Sequence, residues 1–324
     1  MRSETARVHA ALIVVSLIYG YFYVAVKILL KTIAPPQLIL LRFVLTAVIV
    51  VVIDRIFYKE PLPKGRDLFK ISGLGLVGVF LVQILVVIGL QHTTAFHSAL
   101  IMATIPIFTL IFSLASRLET FRVQKVIGIV IGFVGVVILL FFSGTAGALL
   151  PANYLTGDFI VLLNALAFSW FLLGSRSILQ KYCEFSFMAY CYIVSACLFV
   201  VLFFIGHLYS QGSLGLEFIP KLNVGQWLLI AYVVLFASIG SYTLNNYALK
   251  RVSPSIVAIY IFIQPIISAM TGFYLLGEPF NMQMAIATAI TFLGVFLATS
   301  RGYGRKKGIE EAESDIEPPI QLGG

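Results

Sequence analysis

Ten apolar runs, separated by short polar or Gly/Pro-marked segments, dominate the chain. They are Val8–Leu30, Pro36–Ile53, Leu68–Leu90, His97–Ser116, Val123–Phe142, Asp158–Leu179, Phe185–Gly206, Gly225–Leu249, Pro254–Leu276 and Met282–Ser300. A helix needs about 20 mostly apolar residues to cross a bilayer. The pattern predicts an all-α membrane protein of ten transmembrane helices. Of the 324 residues, 60% are hydrophobic and 11% charged, where a soluble domain carries about 25% charged residues. A soluble protein this apolar could not cover its surface with polar groups. That excludes a secreted disulfide scaffold, a disordered chain and an ordinary cytosolic enzyme. Val8–Leu30 is too long for a typical signal-peptide core and lacks a small-residue cleavage site after it. Cys183, Cys191 and Cys197 have spacings of eight and six. These fit no common zinc pattern, so the three read as reduced, small apolar residues.

The net charge of +8 points to cytoplasmic loops rather than to nucleic acid, because basic residues concentrate on the inner side of membrane proteins. With the N-terminus inside, 18 of the 22 basic residues fall in inner segments, two (Lys31 and Lys221) in outer loops, and Lys27 and Arg42 within spans. Both termini are therefore expected in the cytoplasm, with the chain multi-pass in the cell (inner) membrane. Residues 301–324 change character: Arg305-Lys306-Lys307 lead into five acidic residues and a Pro- and Gly-rich end. Such a stretch buries too little apolar surface to order itself and is expected to be a disordered cytoplasmic tail, solvated or docking a partner.

Shifted by 159 residues, the chain matches itself. Pro106 meets Pro265, Glu119 meets Glu278, Phe121 meets Phe280, Gln124 meets Gln283 and Gly135 meets Gly294, within 11 identities over the 38 positions 99–136. A weaker match at a shift of 149 pairs Phe22 with Phe171 and Lys27 with Arg176. The expected halves are residues 1–145 and 146–300, five spans each. Five is odd, so the second copy enters the membrane in the opposite sense. Inverted repeats recur in secondary transporters, which place their site at the repeat interface.

The run Tyr19-Gly20-x-Phe22-x(4)-Lys27, then Pro35-Pro36 and Arg42-Phe43, resembles the start of the EamA-type branch of the drug/metabolite transporter superfamily. Pro106…Leu118-Glu119…Gln124-x(3)-Gly128 and its copy Pro265…Gly277-Glu278-Pro279…Gly294 are similar to that family's repeat signature. Tyr19 stands where the family often has Trp. The resemblance covers about Ala10–Ser300 and implies ten helices in two five-helix repeats, exporting or exchanging small metabolites.

Several polar groups in the spans are candidates for lining a substrate cavity. An intramembrane charge is a functional candidate by default, which singles out Lys27 and Arg42, although long stems also let such heads reach the interface. Ser16, Tyr19, Tyr23 and Lys27 share one face of the first helix. Tyr242 and Asn246 in the eighth span, Tyr260 and Gln264 in the ninth, and the isolated Gln83 in the third are either cavity lining or interhelical glue. Trp170 is a stacking wall or lipid-facing bulk. With no comparably deep carboxylate in the spans, the two cations suggest a substrate with a carboxylate or other anionic or polar group. Lys27 is the expected contact, and dependence on a proton gradient should be weak. Pro106 and Pro265 each remove a backbone donor mid-span and are expected to bend their helices for gating. Gly128-x(3)-Gly132 reads as a close helix-packing face, with a homodimer as its other use. Glu119 and Glu278 read as caps of the following helices.

There is no Walker-A run, HExxH, Cys/His cluster or GxSxG turn. No enzyme, metal or cofactor is expected, and the partners are a small-molecule substrate and the bilayer. The leading function is secondary transport or facilitated passage of a small amino-acid-like or aromatic, amphipathic metabolite by alternating access. The alternative is a membrane sensor or assembly partner that transports nothing.

Overall fold

The computed structural model describes residues 2–58, 63–117, 123–142, 154–210, 217, 219–277 and 282–299. The expected caps Glu119 and Glu278 and the tail 301–324 lie outside them. The described residues form ten long helical segments, one short 3-10 turn at Ile219–Lys221 and no strand: α1 (Arg2–Leu29), α2 (Pro35–Tyr58), α3 (Gly65–His92), α4 (Ala95–Ala115), α5 (Val123–Phe142), α6 (Tyr154–Leu179), α7 (Glu184–Ser210), α8 (Val224–Arg251), α9 (Pro254–Leu276) and α10 (Met282–Thr299). Eight of them, α1–α4 and α6–α9, are long and apolar enough to cross a membrane. The apolar stretches in α5 and α10, Val126–Gly135 and Ala285–Gly294, are shorter.

Local chemistry sets the ends. Prolines start α2 and α9, where the missing N–H costs nothing. Thr94 caps α4 by accepting from the His97 amide at 3.0 Å. Asn223 and Gln226 close a reciprocal capping box at the start of α8. Gly277, at φ +67°, ends α9 in the left-handed conformation that glycine adopts without strain. Helices α1, α3, α4 and α6 begin two to six residues before their apolar runs, because polar ends still hydrogen-bond as helix. Thus α6 starts at Tyr154, one turn before Asp158.

Several long helices are interrupted. In α4 the regular winding breaks at Ala103–Thr104, directly before Pro106; in α9 it tightens at Tyr260–Phe262, before Pro265. Both breaks follow from prolines that cannot donate to the carbonyls of Met102 and Ile261. Wider π-helical turns occur at Leu76–Leu81 of α3 and Val233–Gly240 of α8.

Polar contacts show which helix ends lie together. At one end Lys181 pairs with Asp67 at 3.2 Å, and Arg251 pairs with Glu4 at 3.2 Å and Glu184 at 3.0 Å. This joins the N-termini of α1, α3 and α7 to the C-termini of α6 and α8. At the other end lie the C-termini of α1 and α3 with the N-termini of α4, α6 and α8, linked through Lys27, Thr32, Thr93, His97, Asp158 and Gln226. The principal helix pairs are α1 with α9, α4 with α6, α3 with α6, α1 with α8, α2 with α7, and α5 with α10. The last pair is held at backbone distance. A Cβ added at Gly294 would lie 2.1 Å from the Gly132 nitrogen and 2.6 Å from the Gly128 carbonyl. The small-residue face of α5 is thus used against α10 of the same chain.

Candidate functional site: a central cavity

A cavity lies among α1, α2, α3, α4, α6, α8 and α9. On α1 its wall runs from Leu12 to Tyr23 and on α9 from Val257 to Gln264, so it extends from mid-bundle toward the α1 N-terminal end. Val82, Val86, Met102, Ile105 and Phe168 supply apolar wall.

Polar groups in the wall stitch the helices around it. Tyr23 donates from Oη to Gln264 Oε1 at 3.1 Å, and Ser16 donates to the Tyr260 carbonyl at 2.6 Å, joining α1 to α9. The His9 ring nitrogen Nδ1 and Tyr260 Oη are 2.5 Å apart. Tyr242 Oη donates to the Gly78 carbonyl at 2.8 Å. This carbonyl lies in the π-helical turn of α3, and such turns loosen the regular ladder and recur at functional sites. Gln83 Nε2 reaches Tyr192 Oη at 2.5 Å. Asn164 Nδ2 donates to the Val82 carbonyl at 3.0 Å, which leaves Asn164 Oδ1 buried with no hydrogen-bond partner.

Arg42 projects from α2 into this wall and is only 3% exposed. Its Cζ lies 4.9 Å from the centre of the Phe22 ring, a cation–π contact. Nη2 meets Ser238 Oγ at 3.5 Å, the limit of a hydrogen bond, while Nε and Nη1 have no hydrogen-bond partner.

Seven of the ten candidate binding residues lie in the wall: Tyr19, Tyr23, Arg42, Gln83, Tyr242, Tyr260 and Gln264. Three do not. Lys27 directs its ammonium onto the Leu90 carbonyl at 3.3 Å and the Thr93 carbonyl. Trp170 is 45% exposed on the outside of α6. Asn246 is buried behind the wall and donates to the Glu184 carbonyl at 3.3 Å, while its neighbour Asn245 lines the cavity. Pro106 and Pro265 are buried beside the helix breaks. Asn164 and Phe168 are wall residues that the sequence reading did not select; Asn164, a lone amide in an apolar run, carries the same signal as Gln83.

Beyond the cavity, toward the other end, lies a buried polar cluster. Asp158 accepts from Thr93 Oγ1 through Oδ1, and its Oδ2 lies 3.2 Å from His97 Nδ1. Asp158 is 4% exposed and His97 2%. Asp158 opens the sixth apolar run, and no carboxylate as deep as Lys27 and Arg42 is expected in the spans. The extra first turn of α6 carries Asp158 inward, between α3 and α4.

The profile of the EamA-like transporter family matches residues 7–141 and again 155–300. An uncharacterized transporter of Archaeoglobus fulgidus is 26% identical over 303 residues, covering 93% of this chain and 99% of its own. The uncharacterized inner membrane transporter YedA of Escherichia coli is 26% identical over 313 residues, covering 96% and 95%. The uncharacterized transporter YyaM of Bacillus subtilis is 23% identical over 261 residues, covering 80% and 82%. One solved crystal structure superimposes with a TM-score of 0.63 at 18% identity, over 93% of this chain and 97% of that one, a likeness of fold. With the family profile matching both halves and eight membrane-length helices, this multi-pass membrane protein belongs to the EamA-like transporter family.

Proposed function

We propose that the protein is a secondary transporter that carries a small amphipathic metabolite across the cytoplasmic membrane by alternating access. The inner-membrane setting follows the printed name of YedA. The carrying observation is the central cavity, largely apolar in its wall with Arg42 and several amides and hydroxyls set into it, reaching toward one end of the bundle, with the cluster of Lys27, Thr93, His97 and Asp158 toward the other.

In this reading residues 1–145 and 146–300 are inverted five-helix repeats, with both termini cytoplasmic. The twofold match to one family profile supports it. So do the helix pairs: exchanging α1–α5 with α6–α10 turns α1/α9 into α6/α4 and α3/α6 into α8/α1, while α2/α7 and α5/α10 map onto themselves. The π-helical turn Leu76–Leu81, moved by 159 residues, falls within Val233–Gly240. Two mirror-related halves of this kind favour two mirror-related states, each exposing the cavity to one side.

The test is reconstitution. Purified protein in proteoliposomes should move at least one member of a panel of amino acids, aromatic acids and other small amphiphiles faster than protein-free vesicles. Folded protein that moves none of the panel in either direction would overturn the proposal. Fusing a reporter after Gly324 and inserting one at 211–216 tests orientation: cytoplasmic and external readings respectively are expected.

A further inference from the structure

We infer that Arg42 is the anchor for one carboxylate, and that the ligand of the cavity is a monoanionic organic acid with an apolar body. This rests on the transport reading of the cavity and names its substrate class.

A guanidinium is always charged, and it presents a planar fork of donors that matches a carboxylate with two parallel N–H bonds. Arg42 is buried in the wall, yet Nε and Nη1 donate to nothing and Nη2 has only the long contact to Ser238. A buried charge is ordinarily paired. Among the described residues the acids lie elsewhere: Glu4 and Glu184 pair with Arg251, Asp67 with Lys181, Asp54 accepts from Ser186, Asp158 contacts Thr93 and His97, and Glu217 is exposed. The Phe22 ring face softens the charge without neutralising it. The missing anion is what a ligand brings.

The wall also sets the number of charges. Among the described residues that line the cavity, Arg42 is the one that is charged. Lys27 serves the Leu90 and Thr93 carbonyls and is not in the wall. A phosphate dianion or a dicarboxylate would bury a second negative charge with no second cation. A single carboxylate matches the single guanidinium, and Val82, Val86, Met102, Ile105 and Phe168 receive an aliphatic or aromatic body.

Binding, rather than transport, tests this. The full chain in phosphatidylcholine nanodiscs would be titrated calorimetrically at neutral pH with hexanoate, 3-phenylpropanoate, 4-methylpentanoate and indole-3-acetate, each beside its primary amide. A matched phosphonate, 2-phenylethylphosphonate, reports on charge number. At least one acid should bind tenfold or more tightly than its amide and more tightly than the phosphonate. Arg42→Gln should abolish the acid–amide difference, and Arg42→Lys, a point charge without the fork, should keep part of it. The acid–amide comparison in the unaltered protein needs no variant, so misfolding of a variant leaves the test intact. Equal binding of acid and amide, a preference for the phosphonate, no binding of any acid, or full discrimination retained by folded Arg42→Gln would each overturn the inference. Transport of a cationic or neutral compound alone would also sink it while leaving the transport reading standing; acid binding without transport of any compound would do the reverse.

Discussion

Asp158→Asn isolates the closure at the end opposite the cavity. The substitution is isosteric, and the amide oxygen still accepts from Thr93, but the negative charge facing His97 at 3.2 Å is gone. Hydrogen bonds to a charged group contribute about 1.5–3 kcal/mol and neutral ones about 0.5–1.5 kcal/mol. Each of the two contacts on Asp158 therefore weakens by about 1 kcal/mol. A total of about 1–2 kcal/mol raises the population opened at this end by about 5- to 30-fold, since ~1.4 kcal/mol is a factor of ten. Amide hydrogen exchange reads this directly where opening is a pre-equilibrium. The first turn of α4 is the reporter: the His97 amide donates to Thr94 Oγ1 at 3.0 Å and the Ser98 amide to the Thr94 carbonyl at 3.1 Å. Exchange in peptides covering residues 91–102 should accelerate by about tenfold on that scale, while peptides at the other end, around residues 244–256, keep their protection. Unchanged exchange at 91–102 would refute the closure. Equal acceleration at both ends would mean that Asp158 only supports global stability.

Pro106→Ala and Pro265→Ala each restore a donor to a helix break; insertion should be normal and reconstituted transport severalfold slower, and unchanged rates in both variants and the double would leave the breaks as packing alone. Gly294→Val forces apart backbones whose added Cβ would sit 2.1 Å from the Gly132 nitrogen; the expected cost of about 1–3 kcal/mol should appear as a melting temperature lower by several degrees, and no change would contradict the contact. Lys27→Gln removes the ammonium from the Leu90 and Thr93 carbonyls; exchange at 91–102 should rise while acid binding stays within about twofold, whereas loss of acid binding would return the anchor role to Lys27. A labelled acid should leave proteoliposomes at least tenfold faster when unlabelled acid is present on the opposite side, and Arg42→Gln should lose this stimulation; equal rates with and without it in the unaltered protein would refute a slow empty return.

The helices were legible because lipid leaves the backbone few alternatives, and the two breaks were legible because proline's missing donor is written in the sequence. Side-chain destinations were less so. Tyr19, Tyr23 and Lys27 share a stripe, yet the stripe passes beyond the cavity. Lys27 lies one turn past Tyr23, beside the C-terminus of α3, whose last carbonyls lack helical donors and capture the ammonium. Trp170 sits on a helix apolar on several sides, so periodicity could not say whether it faced lipid or cavity. The burial of Asp158 was not legible because the turn from Tyr154 that precedes it is only weakly apolar and does not look like membrane helix. The π-helical turns of α3 and α8 leave no residue signature of their own. One of them aims the Gly78 carbonyl at Tyr242, and a Cβ at Gly78 would lie 1.9 Å from the Phe171 ring. That requirement became visible only when the partner helix was in place.

The unpaired guanidinium also bears on how an empty and a loaded carrier differ. Alternating access passes through a state in which the cavity is closed at both ends. With the cavity empty, that state holds Arg42 away from bulk water with Phe22 and Ser238 as its nearest partners, and an unpaired buried charge carries an effective penalty of several kcal/mol. With a carboxylate bound, the pair enters the closed state neutralised and doubly hydrogen-bonded, and most of that penalty disappears. A ligand shifts a conformational equilibrium only by its differential affinity for the two states, and here the difference resides in one charge. Even ~1.4 kcal/mol of it makes the loaded carrier close ten times more readily than the empty one. On the proposed reading, the feature that would select a monoanionic acid would also favour exchange over net flux, because the return of the empty protein is the step that the buried charge would slow.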